Sequence, residues 1–310
     1  MDISVIILTF NEELHIRRCI ENVALFTRDV FVVDSFSTDK TIKIAKNLGA
    51  QVFQNPWEGL YARQFNWALD HLPIRTKWVL RLDADEYLSP ELIEEIKGKL
   101  ETLPAEVTGV AFHLQRVFMG RVIRRGMPRI KMIRLFRYGK ARCEQRLMDE
   151  HIELLEGRSV TFDGDFADDN LNDIGWWTAK HNGYALREAV DLLDLEYGLL
   201  DDCDHQVDAM GSVKGSGKVP RLEGQAAEKR RKKMKYARLP LFWRAFAYFC
   251  YRYFLRGGFL EGKEGFLWHF LQGWWYRTLV DAKVWEIKRA SGGDPQKMLA
   301  LLRDKYGMNI

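Results

Sequence analysis

The first hundred residues alternate between short apolar runs and longer stretches in which apolar residues recur every three or four positions. Residues 3–8 form a continuous, β-branched apolar run, which is typical of a strand covered on both faces. Similar runs at residues 30–34, 51–53 and 77–83 predict three more strands. Between the first two strands, the helical spacing predicts one buried face made of Ile16, Cys19, Ile20 and Val23.

A second helix is predicted after the strand at residues 30–34. Ile42, Ala45 and Leu48 give it a buried stripe, and Gly49 ends it. Strands and helices that alternate in this order indicate right-handed crossovers and parallel strands. Ligands of such sheets bind beyond the carboxyl ends of the strands.

Polar residues follow several of these predicted strands. Asn11 is expected to cap the first helix, Asp34 ends the second strand, and Asp39 lies in the turn after it. Asp83 and Asp85 end the fourth strand, and residues two apart on a strand point the same way. Carboxylates crowded together repel one another, and a divalent metal bound to a diphosphate would offset that repulsion.

These motifs resemble those of family-2 glycosyltransferases of the GT-A fold. The resemblance covers Met1 to about Leu100 and is carried by residues 7–12, 33–41 and 82–86. The most similar subgroup builds lipopolysaccharide core, capsule or exopolysaccharide in bacteria. It shares the Asp-Ala-Asp-Glu of residues 83–86 and the later Asp-Glu-His of residues 149–151.

The resemblance implies an α/β fold, in which a Rossmann-like mixed sheet binds the nucleotide and is flanked by helices. It also implies an enzyme that uses Mg²⁺ or Mn²⁺ and a nucleoside diphosphate sugar, most commonly a UDP-sugar. The positions that match the donor site of the family are Thr9, Asn11, Glu12, Asp34, Asp39, Arg63 and Asp83.

Within that set, the loop at residues 9–12 is expected to line the nucleotide pocket. Asp34 and Asp39 match the positions that hold the base and ribose. Asp83 matches a ribose- or metal-facing position, and Asp85 matches the direct metal ligand. Arg63 either faces the diphosphate or is a solvated helix charge.

An inverting transferase needs a carboxylate that takes the proton from the acceptor hydroxyl. The resemblance places this base at Asp149 or Glu150, and we favour Glu150 because it aligns better with the glutamate of the family. The third metal ligand stays open. Asp168 is a candidate if the histidine of the family has been replaced in the acidic segment 163–170.

Composition changes this picture little. The chain has 310 residues, and 47 Lys and Arg face 43 Asp and Glu, so the net charge of +4 gives no support for nucleic-acid binding. Its four cysteines are scattered, which argues against a zinc site or a disulfide framework and favours a reducing cytoplasm. No signal peptide is apparent at the N-terminus.

The C-terminal third is basic and aromatic. We predict a catalytic domain over residues 1–200, a mobile loop or linker over 201–228, and a helical region over 229–310 that begins with a cationic run. In the helix predicted near residues 239–255, a cationic stripe is expected beside an apolar face. The stripe comprises Arg244, Tyr248, Arg252 and Arg256, and the face Phe242, Phe246, Phe249 and Tyr253.

Such a helix is too short and too charged to span a bilayer and is typical of one lying in the membrane interface. The alternatives are a helical homodimer interface and internal packing against the sheet domain. The prediction is a metal-dependent inverting hexosyltransferase on the cytoplasmic face of the bacterial inner membrane, acting on a lipid-linked saccharide.

Two other function classes fit the sequence less well. A nucleotidyltransferase would be expected to carry a glycine-rich phosphate loop, but residues 7–13 contain no glycine. A non-catalytic scaffold of a polysaccharide assembly complex would not need the acidic residues at 83, 85 and 150. The sequence leaves open the sugar, the nucleotide, the acceptor, the linkage and the oligomeric state.

Overall fold

The computed structural model describes residues 1–144, 150–199, 236–237 and 239–308. The chain forms two compact units, residues 1–172 and 173–310. The predicted boundary at residue 200 differs from this division because the helix at residues 174–197 packs into the core of the second unit. The predicted loop at 201–228 and the cationic run at 229–235 lie outside the described residues.

The first unit is built on a mixed sheet in which β3-β2-β1-β4-β8-β6-β11-β5 are neighbours in that order. In addition, β7 pairs with β6, and β9 and β10 form a separate two-stranded sheet. The strands are β1 (Ile3–Thr9), β2 (Val30–Asp34), β3 (Gln51–Gln54), β4 (Trp78–Asp83), β5 (Glu86–Leu88), β6 (Val107–Phe118), β7 (Arg121–Ile123), β8 (Ile130–Arg137), β9 (Ala141–Cys143), β10 (Ile152–Leu154) and β11 (Arg158–Asp169).

Strand direction brings the polar strand ends together. β1 is parallel to both β2 and β4, and β6 is parallel to β11. Because β8 is antiparallel to both β4 and β6, the strands β1, β2, β4, β6 and β11 all point the same way. Their carboxyl ends therefore share one edge of the sheet, as the predicted GT-A fold requires.

The helices of the first unit are α1 (Ile16–Val23), α2 (Thr41–Asn47), α3 (Tyr61–His71) and α4 (Pro90–Lys99), followed by a short 3₁₀ helix at Leu100–Thr102. The apolar face predicted for α1 is buried as expected. The predicted helix cap at Asn11 is wrong, because α1 begins only at Ile16. Asn11 instead adopts a left-handed conformation, with φ of 56°, and its side chain accepts a hydrogen bond from the Thr38 N–H at 2.9 Å.

A glycine sets the position of β11. A Cβ at Gly164 would lie 2.5 Å from the Cα of Leu92, so only glycine lets β11 cross α4 this closely. The two N–H groups of Asp163 and Gly164 donate to the Glu95 carboxylate at 2.9 and 3.0 Å. These contacts fix the strand just before it reaches the carboxyl edge of the sheet.

The second unit is helical where it is described. Its helices are α5 (Ile174–Tyr197), α6 (Trp243–Cys250), α7 (Gly262–Trp268), α8 (Tyr276–Ser291) and α9 (Pro295–Asp304), with π-helical turns at Tyr251–Leu255 and His269–Trp275 and a 3₁₀ turn at Gly258–Glu261. Its core includes Ala185, Ala189, Leu193, Val280, Val284, Ile287 and Leu302. Among the described residues, every helix is too short or too polar to cross a membrane.

The predicted cationic stripe of this unit is wrong. Arg244 is buried and pairs with Asp281, with 2.7 Å from its Nε to the carboxylate, and it also donates to the backbone carbonyl of Ala237. Arg252 is buried beside the ring of Tyr248. These two arginines serve the interior of the unit and do not form a solvent-facing stripe.

Candidate active site at the carboxyl edge of the sheet

Four carboxylates from β4, its turn and β11 meet at the carboxyl edge. Asp83 ends β4, and Asp85 and Glu86 follow in the turn and in β5. Asp168 of β11 lies opposite Glu86 in the antiparallel pairing of β11 with β5. The sequence predicted the first three, and the strand order adds Asp168, which had been only a conditional candidate.

Arg134 holds the buried side of this cluster. Its guanidinium pairs with Glu86 and lies 3.9 Å from Asp83, and both Arg134 and Glu86 are buried. Burial raises the pKa of Glu86, the charge of Arg134 lowers it, and the charges of Asp83 and Asp85 add to the rise. Glu86 also accepts a hydrogen bond from the Asp83 N–H at 2.9 Å, so the pair supports the backbone that carries Asp83.

Asp85 is held by residues that arrive from far along the chain. Asn170 donates from its side-chain amide to the Asp85 carboxylate at 2.9 Å. Arg18 donates to the Asp85 backbone carbonyl at 3.2 Å and pairs with Asp169 at the end of β11. The Asp169 N–H also donates to the Asp85 carbonyl at 3.1 Å. Together these contacts fix the turn after β4 against the end of β11.

Carboxylates outnumber guanidinium groups in this cluster. Partial burial raises the pKa of Asp168 to about 6; the charges of Asp85 and Asp83 add to the rise, and those of Arg116 and Arg134 oppose it. Arg116 lies 3.5 Å from the Asp168 carboxylate. Carboxylate oxygens with surplus negative charge are the ligands that Mg²⁺ and Mn²⁺ prefer, so the residues present fit a divalent cation.

The described residues include no group of three or more His, Cys, Asp and Glu side chains arranged around one cation. A magnesium-type ion does not require such a group, because it is commonly held by one or two carboxylates together with substrate phosphates. The two predicted ligands, Asp83 and Asp85, are compatible with this way of binding a cation. A third protein ligand stays a prediction.

The predicted nucleotide loops are joined to one another by hydrogen bonds. Asp34 is fully buried and accepts bonds from the Thr9 hydroxyl at 3.0 Å and the Ser37 N–H at 2.8 Å. The Asn11 N–H donates to the Ser37 hydroxyl at 2.8 Å. Direct contact of Asp34 with a base or ribose would require some of these bonds to be exchanged.

Asp39 has a similar role in the turn that leads into α2. Its carboxylate accepts bonds from the Thr41 N–H at 2.9 Å and the Glu13 N–H at 3.1 Å. Partial burial would raise the pKa of Asp39, but these hydrogen bonds outweigh that effect and lower it. The Glu12 N–H donates to the Thr41 hydroxyl at 2.8 Å, so this loop too is fixed to the start of α2.

Tyr61 and Arg81 line the α3 side of the site. The Tyr61 hydroxyl donates to Asp83, and the Arg81 guanidinium lies 4.3 Å from the centre of the Tyr61 ring. Burial and the charge of Asp83 raise the pKa of Tyr61, which keeps its hydroxyl protonated as a donor. Arg63, in contrast, is half exposed and pairs loosely with Glu58 at 3.9 Å, which matches the solvated alternative.

Glu150 lies near the buried thiol of Cys143. Burial raises the pKa of Cys143 to about 11, and the Glu150 charge adds to the rise against the opposing charge of Arg81. A backbone bond of 2.8 Å from Glu144 N–H to the His151 carbonyl places the segment beside β9. Asp149, the other predicted base, lies outside the described residues.

His15 connects two regions of the site and was missed by the sequence reasoning. Its Nδ1 lies 2.6 Å from the Glu12 carboxylate, and its Nε2 accepts the Leu171 N–H at 2.8 Å. The ring is buried, and because Nε2 accepts a hydrogen bond, Nδ1 is the ring nitrogen that donates to Glu12. His15 thereby links the loop after β1 to the segment that carries Asn170.

Comparison with known proteins supports the class of this site. Residues 4–151 match the model of the family described as Glycosyl transferase family 2. A segment of 95 residues, 31% of this chain, is 48% identical to an uncharacterized glycosyltransferase of Rickettsia typhi and 46% identical to one of Rickettsia bellii. The family match therefore lies within the first unit and agrees with the predicted family and enzyme class. The matched segment spans about a third of the length of these relatives, 32% and 31%.

Solved structures show a weaker likeness. A mannosyltransferase from Pyrobaculum calidifontis, in complex with GDP-mannose and Mn²⁺, has 17% identity and a TM-score of 0.48, with coverage of 92% of this chain and 87% of that one. Glucosyl-3-phosphoglycerate synthase from Mycobacterium tuberculosis, in complex with Mn²⁺, UDP-glucose and phosphoglyceric acid, has 24% identity and a TM-score of 0.30, with coverage of 36% and 43%. At such TM-scores the likeness establishes no shared ligand.

Substitution of His15 tests the link between the loop after β1 and the end of β11. We expect His15→Ala to lower the free energy of unfolding by about 1–3 kcal/mol, because it leaves the Leu171 N–H without its acceptor. Urea denaturation measures the change. His71→Ala is the control, because the exposed His71 ring contacts Trp67 of its own helix, at the carbonyl and on the indole ring. Equal midpoints for the two variants would contradict the role of His15.

Substitution of Asp168 tests the charge surplus. We expect Asp168→Asn to raise the melting temperature in metal-free buffer, because it removes a partly buried charge that also lies close to Asp85 and Asp83, and this outweighs the lost contact with Arg116. The gain should shrink as the pH falls below about 6, where the wild-type Asp168 becomes protonated and loses the same charge. Asp165→Asn on the same strand breaks a 2.7 Å pair with Arg129 and should give no gain. A lower melting temperature for Asp168→Asn would refute the surplus.

Proposed function

We propose that the protein is a metal-dependent inverting glycosyltransferase that moves a hexose from a nucleoside diphosphate sugar, with UDP as the expected nucleotide, to a lipid-linked saccharide. The observation that carries the proposal is the pair of carboxylates Asp83 and Asp85 at the carboxyl edge of a family-2 domain, with Asp168 nearby on β11. The cell-surface polysaccharide pathway and the inner membrane surface belong to the same proposal.

On the donor side, the loops after β1 and β2 form the nucleoside pocket. Thr9, Asn11 and Glu12 shape it from one loop, and Asp34 and Asp39 fix the second loop to the first. These hydrogen bonds hold the two loops against each other, and loops held in place in this way favour affinity.

Asp85 and Asp83 would hold a divalent cation that, when bound, neutralises charge on the leaving diphosphate. Asn170 and Arg18 keep Asp85 oriented. Arg134 and Glu86 keep the Asp83 backbone in place, and Tyr61 donates a hydrogen bond to the Asp83 side chain. Arg63, which is half exposed, is assigned to the diphosphate only if the donor reaches the start of α3.

On the acceptor side, Glu150 is the proposed base and Asp149 the alternative. A base must lie within hydrogen-bond reach of the acceptor hydroxyl and take its proton as the new glycosidic bond forms. Glu150 is partly buried, and its charge acts on the Cys143 thiol together with those of Arg81 and Asp83, which supports a position close to the acidic cluster.

Donor binding is tested by thermal shift. We expect UDP with Mn²⁺ to raise the melting temperature of the wild type, since a ligand present at about 100 times its Kd stabilises the folded state by about 2.7 kcal/mol. Asp85→Ala should abolish the shift, and Asp304→Ala on the exposed end of α9 should keep it. GDP in place of UDP identifies the nucleotide. A wild type that no nucleotide stabilises in the presence of metal would favour the scaffold alternative.

The base is tested by transfer of labelled sugar to lipid-linked saccharides extracted from bacterial membranes. We expect Glu150→Gln to lower turnover by about 10²–10⁴-fold while it keeps the UDP and Mn²⁺ shift, because the change removes the proton acceptor and spares the donor site. Glu153→Gln, on the exposed face of β10, is the control. Near-normal turnover in Glu150→Gln assigns the base to Asp149, and near-normal turnover in both Glu150→Gln and Asp149→Asn refutes the base at this segment.

A further inference from the structure

In the turn between α6 and α7, charged side chains are buried and large apolar side chains are exposed, which is the reverse of the usual arrangement. Beneath it lie three ionisable side chains that are almost fully buried: Arg252, Glu261 and His269, with exposed fractions of 3%, 6% and 0%. On its outside the large apolar side chains face solvent, with exposed fractions of 57% for Phe254, 80% for Leu255, 50% for Phe259 and 53% for Leu260. We call residues 254–260 the apolar turn.

The apolar turn is held in this arrangement by close packing. A Cβ at Gly258 would lie 2.6 Å from the His269 ring, so the chain passes directly over that ring. A Cβ at Gly265 would lie 2.1 Å from the Glu261 Cβ, which fixes the start of α7 in the same way. Gly257, with φ of 73°, makes the reversal of direction. The exposure of the apolar side chains is therefore built into the packing of the turn.

The apolar exposure continues on both sides of the turn. Phe266 and Leu267 of α7 are 43% and 37% exposed, and Trp243 at the start of α6 is 72% exposed. Large apolar side chains exposed in such number are typical of an interaction site rather than of a solvated face. Aromatic and leucine side chains beside cations are the composition that partitions into a membrane interface.

The charges of the exposed side chains near the apolar turn indicate which kind of surface could cover it. Residues 251–267 contain two exposed cations, Arg256 and Lys263, and their two acidic residues are the buried Glu261 and the partly buried Glu264. Two copies of the turn packed on each other would bring like charges together. An anionic surface would instead attract both cations.

We propose that the apolar turn inserts into the interface of an anionic lipid bilayer, with Arg256 and Lys263 at the level of the headgroups. This inference rests on the proposed lipid-linked acceptor, and it assigns the membrane contact to the turn instead of to the helix stripe that the sequence had suggested.

The test uses the full chain and sedimentation with vesicles of phosphatidylcholine, with or without phosphatidylglycerol. We expect the wild type to bind the anionic vesicles, and the double variant Leu255→Ser, Leu260→Ser to bind about tenfold more weakly or worse. Leu195→Ser is the control, because Leu195 on α5 is 51% exposed, close to the 53% of Leu260. Arg256→Glu with Lys263→Glu should also weaken binding, and Lys297→Glu on α9 should not.

Three results would overturn the proposal: no binding of the wild type to anionic vesicles, unchanged binding of the double leucine variant, or equal loss in the Leu195→Ser control. The wild type is also compared with the double leucine variant by oligomeric state. If the wild type is a dimer and the double leucine variant is a monomer that still binds vesicles, the turn contacts a second copy of the chain. The UDP and Mn²⁺ shift, measured on every variant, confirms folding. It also separates failure of this inference, in which the shift persists, from failure of the proposed function, in which the wild type shows none.

Discussion

Repulsion among carboxylates at one edge of the sheet is the constraint on which the rest of the first unit depends. Asp83, Asp85, Glu86 and Asp168 are brought together by β4, β5 and β11, and each raises the cost of ionising its neighbours. The protein offsets this repulsion only partly. Arg134 compensates the buried Glu86, whereas the outer carboxylates keep negative charge that a bound divalent cation would offset.

The residues around this cluster act mainly by fixing its geometry. Asn170 and Arg18 hold Asp85, and His15 fixes the neighbouring Leu171 to Glu12. Asp34 ties the loop after β1 to the one after β2 through Thr9 and Ser37. A site held this rigidly before ligands arrive suits catalysis by positioning and electrostatics, because little reorganisation is then needed during the reaction.

Local pattern accounts for what could be predicted. The apolar runs gave the four N-terminal strands, the helical spacing gave the buried face of α1, and the spacing of two residues paired Asp83 with Asp85. The supporting contacts could not be predicted because their partners are distant: Arg134 lies 48 residues from Glu86, Asn170 lies 85 from Asp85, and His15 lies 156 from Leu171. The predicted stripe was wrong at Arg244 for the same reason. Its partner Asp281 lies 37 residues further along the chain, and pairing with it buries the Arg244 side chain.

The central claim is that the cluster at the carboxyl edge of β4 and β11 binds the cation that accompanies the donor. Crystals grown with Mn²⁺ and UDP, with diffraction recorded for anomalous scattering at the manganese edge, test it most directly. We expect one strong manganese peak next to the Asp85 carboxylate and in contact with the UDP diphosphate, and no such peak in Asp85→Ala. A manganese peak away from Asp83, Asp85 and Asp168 while UDP is bound, or UDP bound at the edge without manganese, would contradict the account.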